Sequence, residues 1–306
     1  MWMWTGAALA VIGGTEVEDS HAEVVGFAPA QSICTGTLVH PEWMLTAAHC
    51  WDSVVVNDPD DDRWSRVPIG RGSVLPGFQT APGPHLQPSV SIAEVFLHPD
   101  YTSLGWSANT SNVSYDLSND IALVRLAIPM DGPTIALNDT PIDDEAWLGL
   151  SPTFVGYGVE ALNGGGAGTK REVELPLVAF ADDSITTFVE DRGLCNGDSG
   201  APGIVGVGGR PVQVSLSFTS AWNEPCARGM HVRIDAYLPW ILEVLDGEEV
   251  EVLSVPRPPS VVAVGEASGC RAVPCAGPSG LAWLGWVGIA GLSARRRAFV
   301  RGGRAR

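Results

Sequence analysis

A chain of 306 residues with 45% hydrophobic side chains, 36 glycines and 23 prolines can bury a sizeable core between many turns, which sets aside a chain with no folded domain. Its net charge of −17 disfavours nucleic acid and other polyanions as partners. The charge is uneven, with 31 acidic against 10 basic side chains in residues 1–246 and 4 against 8 in the remainder.

Residues 1–10 form a short leader ending in Ala8-Leu9-Ala10, the small-x-small pattern that a signal peptidase accepts. Two readings stand: a signal whose removal frees Val11, or a start codon set inside a longer signal and propeptide. Short Val/Ile/Leu-rich runs bounded by Gly, Pro, Asn and Asp predict strands over 35–39, 92–97, 121–126, 153–157 and 212–218. Their number and spacing suggest a sandwich or barrel. The acidic run Asp58-Pro59-Asp60-Asp61-Asp62 could offer oxygen ligands to calcium, or form a solvated loop. Residues 235–245, with Leu238, Ile241, Leu242 and Leu245 at helical spacing, predict a helix. Residues 247–269, acidic, valine-rich and broken by Pro256, Pro258 and Pro259, read as a linker. The tail, 270–306, holds an apolar core over 281–292 and then Arg295-Arg296-Arg297. That core is short for an ordinary membrane span, and the uncharged run back to residue 272 makes it marginal. A basic cluster after it would stay cytoplasmic and leave the rest outside.

Three motifs carry chemistry. Cys195-Asn196-Gly197-Asp198-Ser199-Gly200 sets a serine among glycines, so a turn can present the hydroxyl and bring the Gly197 and Ser199 N–H groups onto a developing oxyanion. A serine hydroxyl needs a general base, and Thr46-Ala47-Ala48-His49-Cys50 supplies a histidine. The imidazole needs a carboxylate to fix its tautomer, and Asn119-Asp120-Ile121-Ala122-Leu123 supplies one. A lone histidine is more often a surface or core residue, which is the reading for His21, His40, His85, His98 and His231.

In the order His49, Asp120, Ser199, these motifs resemble the chymotrypsin/trypsin family of serine proteases. The likeness runs from Val11-Ile12-Gly13-Gly14 through His98-Pro99-Asp100-Tyr101 and Val155-Gly156-Tyr157-Gly158 to Tyr237-Leu238-Pro239-Trp240-Ile241. It implies an all-β fold of two six-stranded antiparallel barrels and a closing C-terminal helix, within 11–246, and a peptide-bond hydrolase that needs no cofactor. It also implies disulfides Cys34–Cys50 and Cys195–Cys226, against the alternative of free buried thiols, and hence an oxidising compartment. Two further bridges common in animal members have no partners here, which fits a bacterial source. Val11, freed as a new N-terminus, would pair with Asp198.

By family spacing, Gly193 lies at the base of the primary pocket, with Ser217, Phe218 and Thr219 on one wall and Gly229 on the far side. No carboxylate stands at Gly193, so cleavage after Arg or Lys is not supported, although Asp191 and Glu224 are near in sequence. A small-to-medium apolar P1 residue is the expectation. Gly269-Cys270, Cys275, the apolar stretch and the arginine cluster resemble C-terminal sorting signals of myxobacterial surface proteins. They imply a product secreted or held on the outer cell surface; a plain tail anchor or a Cys270–Cys275 loop is the alternative. Partners are then protein or peptide substrates, with a membrane or surface contact through the tail. A silent homologue acting as a surface binding or adhesion module is the rival from another class. A missing triad residue would favour it, and none is missing. An esterase-like hydrolase would lack the chymotrypsin order and the pocket disulfide.

Overall fold

The computed structural model describes residues 11–17, 19–28, 33–51, 73–75, 90–102, 119–160, 165–220 and 226–259, with the backbone alone at 73–75, 90, 91, 219 and 220. The chain divides into units 1–261 and 262–306, and every described residue belongs to the first. The calcium candidate at 58–62 and the tail cysteines Cys270 and Cys275 lie outside the described residues, as does the leader.

In the first half, β1 (Thr15–Glu16) precedes β2 (Val24–Phe27), β3 (Cys34–His40), β4 (Trp43–Thr46), β5 (Ser73–Leu75), β6 (Val90–Leu97) and β7 (Ala122–Leu126). The order β2-β3-β4-β7-β6-β5 closes on itself as a six-stranded antiparallel barrel, with β5 pairing back to β2. Its strands are rich in Val and Leu, with Thr35, Thr37 and Thr46 among them, which suits a pleated buried surface, and β2 and β4 are buried at every residue. Where one strand side meets water, the alternation returns: Arg125 of β7 is exposed and pairs with Glu94 of β6 at 3.1 Å.

The second half contains β8 (Ala136–Asn138), β9 (Thr153–Gly156), β10 (Arg171–Glu174), β11 (Leu177–Phe180), β12 (Ser184–Phe188), β13 (Pro202–Val207), β14 (Arg210–Ser220), β15 (Arg228–Arg233), α1 (Ile234–Leu245) and β16 (Val252–Leu253). The pairing path runs β10-β9-β13-β14-β15-β12-β11. Its two ends, β10 and β11, are separated only by Leu175 and Pro176. Proline has no N–H for the ladder, so one long strand breaks and bends there. The sheet thereby curls into a second barrel-like sheet, and β1 adds to its β10 edge. The expected all-β double-barrel fold with one closing helix is the fold observed.

The predicted helix is α1. Its buried residues Tyr237, Leu238, Ile241, Val244 and Leu245 fall at i, i+1, i+4, i+7 and i+8, and Leu242, at i+5, lies at the edge of that stripe and is 42% exposed. One expectation needs correction. The stretch read as a linker from 247 begins as part of the domain. Strand β16 pairs in parallel with β8, which in turn pairs in parallel with β14. Val255 is 3% exposed, its N–H donates to Asn138 Oδ1 at 3.3 Å, and Arg257 pairs with Asp144. Prolines exclude a helix here but not an extended strap laid along a sheet edge. Asn138, in the sequon Asn138-Asp139-Thr140, is fully buried with its amide engaged at both ends, which closes it to glycosylation.

The strap leads to a prediction. A chain ending at Asp246 is expected to be less stable than one ending at Pro259 by about 2–4 kcal/mol, since it uncovers the β8 edge and the seat of Val255. Urea melts of the two proteins check this, and equal midpoints would contradict it.

Candidate active site

The site is assembled where the two barrels meet. His49 lies in a short 3-10 turn, Ala48–Trp51, directly after β4. The Cys34–Cys50 disulfide ties that turn to the start of β3, and Trp51 stacks on Phe27 with ring centroids 5.3 Å apart. Asp120 lies two residues before β7. Its neighbour Asn119 takes φ +56 and accepts the Tyr237 hydroxyl of α1 at 2.8 Å, so the closing helix helps to hold this loop. Ser199 comes from the other barrel, in the turn before β13, whose first cysteine is joined to Cys226.

These residues, 71 and 150 positions apart, come together as one chain of hydrogen bonds. Asp120 Oδ1 accepts from the His49 backbone N–H at 2.8 Å, and Asp120 Oδ2 lies 2.6 Å from His49 Nδ1. His49 Nε2 lies 2.8 Å from Ser199 Oγ. Asp120 is fully buried and His49 and Ser199 are partly open, so the carboxylate is shielded and the serine reachable. A proton on Nδ1 satisfies Asp120 and leaves Nε2 as the acceptor facing the serine hydroxyl.

The turn that presents Ser199 is pinned by its carbonyls. Asn196 O accepts from Val159 N–H at 2.8 Å, Gly197 O from the Thr35 hydroxyl at 3.0 Å, Asp198 O from Ala201 N–H at 2.9 Å, and Ser199 O from Thr35 N–H at 2.8 Å. In a trans peptide the N–H opposes the C=O. Pinning the carbonyls of residues 196 and 198 therefore turns the N–H groups of Gly197 and Ser199 the other way. Among the described residues neither of those N–H groups has an acceptor. Gly197 has φ +98, and a Cβ on it would stand 2.7 Å from the Gly158 Cα, so only glycine fits this close pass.

Asp198 is fully buried beneath the turn. Its carboxylate accepts from Gly158 N–H and Cys195 N–H, each at 2.8 Å. Burial nevertheless pushes its pKa up to about 7, because those two bonds and the more distant Arg171 do not make up for the lost water. Val11 is fully buried, in one cluster with Phe154, Val173, Leu175, Leu194 and Ala201.

Gly200 combines a left-handed backbone with a close pass across the seam. It has φ +87, and a Cβ there would lie 1.9 Å from Thr35 O and 2.3 Å from Thr46 Oγ1. Gly200→Ala is expected to cost more than about 3 kcal/mol, through the left-handed backbone and the clash at the barrel seam together. A urea midpoint within experimental scatter of the parent protein would refute this.

At the expected pocket, Gly193 forms an isolated bridge with Ile12, and a Cβ on it would sit 1.8 Å from the Cys226 carbonyl oxygen. Ser217 and Phe218 are buried on β14. Thr219 pairs in register with Met230, and its side chain lies outside the described residues. Gly229 of β15 has its α-carbon against His231 and Thr187: a Cβ there would lie 2.7 Å from His231 Nε2. His231 is fully buried with Nε2 2.9 Å from Thr187 Oγ1, and burial pushes its pKa down to about 3, so it is neutral. The Asp191 side chain is 87% exposed, and Glu224 lies outside the described residues.

Sequence reasoning missed Thr35, because it matters through a partner 162 residues away and nothing in its local sequence marks it. Gly158 stands out in the sequence only within Val155-Gly156-Tyr157-Gly158, not as a partner of Asp198, and His231 is the core histidine that the sequence reading allowed. Cys34, His49 and Cys50 are close enough to suggest a metal site, but the two sulfurs are bonded to each other and are not thiolate ligands.

The family model described as Trypsin matches residues 11–241. Brachyurin from Leptuca pugilator is 26% identical over 246 residues, covering 76% of this chain and 96% of that protein. Chymotrypsin-like elastase family member 1 from Canis lupus familiaris is 28% identical over 231 residues, covering 69% of this chain and 81% of that protein. Serine proteinase stubble from Drosophila melanogaster is 27% identical over 231 residues, which is 69% of this chain but 27% of that larger protein. These relatives are animal proteins and lend nothing to the expected bacterial source.

Proposed function

The chain belongs to the trypsin family and is a serine-type endopeptidase, and from that premise we propose that it cleaves peptide bonds through His49, Asp120 and Ser199. Ser199 Oγ attacks the scissile carbonyl as its proton passes to His49 Nε2, and Asp120 stabilises the resulting imidazolium. The carbonyl oxygen, negative in the tetrahedral intermediate, accepts from the Gly197 and Ser199 N–H groups. Collapse expels the amine, which takes the proton from His49. Water then repeats the sequence on the acyl-enzyme. The observation that carries this reading is the unbroken hydrogen-bond chain from buried Asp120 to Ser199 Oγ.

The mature enzyme is proposed to begin at Val11, its ammonium pairing with Asp198. A buried carboxylate with a raised pKa is a seat for a cation. Val11 also takes φ +46, a left-handed backbone that costs a β-branched residue about 1–3 kcal/mol. A free amino terminus has no preceding peptide and so no such backbone cost.

The P1 residue is proposed to be small to medium and apolar rather than Arg or Lys. Gly193 leaves main chain where a carboxylate would be needed, His231 behind Gly229 is neutral, and Asp191 faces solvent. We place the enzyme outside the cytosol, since two disulfides persist in an oxidising compartment. Retention on a bacterial surface through residues 270–306 is the accompanying proposal, resting on the order of Cys270, Cys275, apolar stretch and arginines.

Fluorophosphonate labelling of the purified protein, followed by a peptide-library digest, tests the reading. Labelling and cleavage after apolar residues are expected. A folded protein with a free Val11 amine and no labelling would support the silent binding module, and cleavage after Arg or Lys would overturn the pocket assignment.

A further inference from the structure

Thr35 is fully buried at the seam of the two barrels and makes four hydrogen bonds. Its N–H donates to Ser199 O at 2.8 Å, and its carbonyl accepts from Thr46 Oγ1 at 2.7 Å. Its hydroxyl donates to Gly197 O at 3.0 Å and accepts from Tyr157 N–H at 3.1 Å. One residue of the histidine-bearing barrel thus grips both ends of Gly197-Asp198-Ser199 in the other barrel. Among the described residues, the carbonyls of 196, 198 and 199 are held by backbone N–H groups, and only that of Gly197 is held by a side chain.

We propose that the Thr35 hydroxyl is a positioning group for catalysis, setting the Gly197 peptide so that the Gly197 and Ser199 N–H groups converge on the substrate oxygen. The proposal rests on the assignment of Ser199 as nucleophile and of those two N–H groups as oxyanion donors. Glycine at 197 has little conformational preference of its own, so the 197–198 peptide plane is set by its partners: Cys195 O accepts its N–H at 2.9 Å, and the Thr35 hydroxyl donates to its carbonyl. The hydroxyl also fixes Tyr157, between Gly158, whose N–H donates to Asp198 Oδ1, and Gly156, whose α-carbon lies against that carboxylate. Thr35 touches neither the substrate nor the reacting atoms. It acts through the turn, so its loss weakens transition-state binding while leaving ground-state binding nearly intact.

The test compares Thr35→Val, Thr35→Ser and the parent in the full chain with its mature amino terminus, assayed on a peptide anilide. Thr35→Val keeps the shape and the backbone N–H but removes the hydroxyl. Its kcat is expected to fall about 10- to 100-fold with KM within about twofold, a loss on the scale of a weakened oxyanion donor. Affinity for a peptide aldehyde, which forms a tetrahedral adduct, is expected to fall by a similar factor, and Thr35→Ser is expected to restore most of both. An unchanged kcat in Thr35→Val, or a loss that Thr35→Ser fails to restore, would overturn the proposal. Thr35→Ala serves if Thr35→Val does not fold; failure of both to fold would make Thr35 a structural residue and equally overturn it. A Ser199→Ala control separates the two levels of inference. If that variant keeps its activity, the nucleophile assignment fails; if it is inactive while Thr35→Val matches the parent, only the present proposal fails.

Discussion

Ser199→Ala is expected to abolish fluorophosphonate labelling and to lower kcat on a peptide substrate by a factor on the order of 10⁵ to 10⁶. Among the described residues, the Ser199 side chain has His49 Nε2 as its partner and nothing else. Removing Oγ therefore deletes the nucleophile and leaves the turn, its pinned carbonyls and its two N–H donors in place. Those donors and the binding cleft would still give some acceleration over water. The fold should be unaffected, so a melting temperature matching the parent belongs in the same experiment. A variant that still hydrolyses peptide at more than about a hundredth of the parent rate would remove Ser199 from the mechanism.

Asp120→Asn is expected to lower kcat at neutral pH by about 10⁴, with little change in fold. The two carboxylate oxygens have different tasks: Oδ1 receives the His49 backbone N–H and Oδ2 faces Nδ1. An asparagine has one acceptor and one donor end. If its oxygen keeps the backbone N–H, its NH2 group faces Nδ1, which must then give up its proton and accept. The imidazole proton moves to Nε2, where it points at the serine hydroxyl and cannot receive a second one. The variant thus holds the residues in place in the wrong tautomer, and it cannot share charge with an imidazolium. Steady-state kinetics beside a thermal melt check this. A loss of less than about tenfold would mean that His49 does not depend on Asp120.

Much of the site was legible because its chemistry is carried by short local motifs. A serine between glycines, a histidine beside a cysteine and an aspartate at a strand start are each visible within six residues. Their order along the chain, with the resemblance that it carries, pointed to one architecture. The strands were legible because alternation and β-branched runs are local too: the run 35–39 is the centre of β3, and 121–126 gives β7. The strap at 250–257 was misjudged because proline content does not say which sheet edge is left for a segment to cover.

By itself, the sequence determined the residue types available for acyl transfer, the cysteines available to staple their loops, and the glycine positions where the chain can turn left-handed. These follow from side-chain chemistry and from backbone preferences a few residues long. Tertiary structure alone decided that Asp120 lies 2.6 Å from His49, that Thr35 holds the nucleophile's turn, and that β16 seals β8. It also decided that neutral His231 stands behind Gly229. Each is a contact between distant segments, and its geometry depends on strand register and barrel closure. Those are settled by the packing of the whole core, where a one-residue slip would turn every side chain to the opposite face.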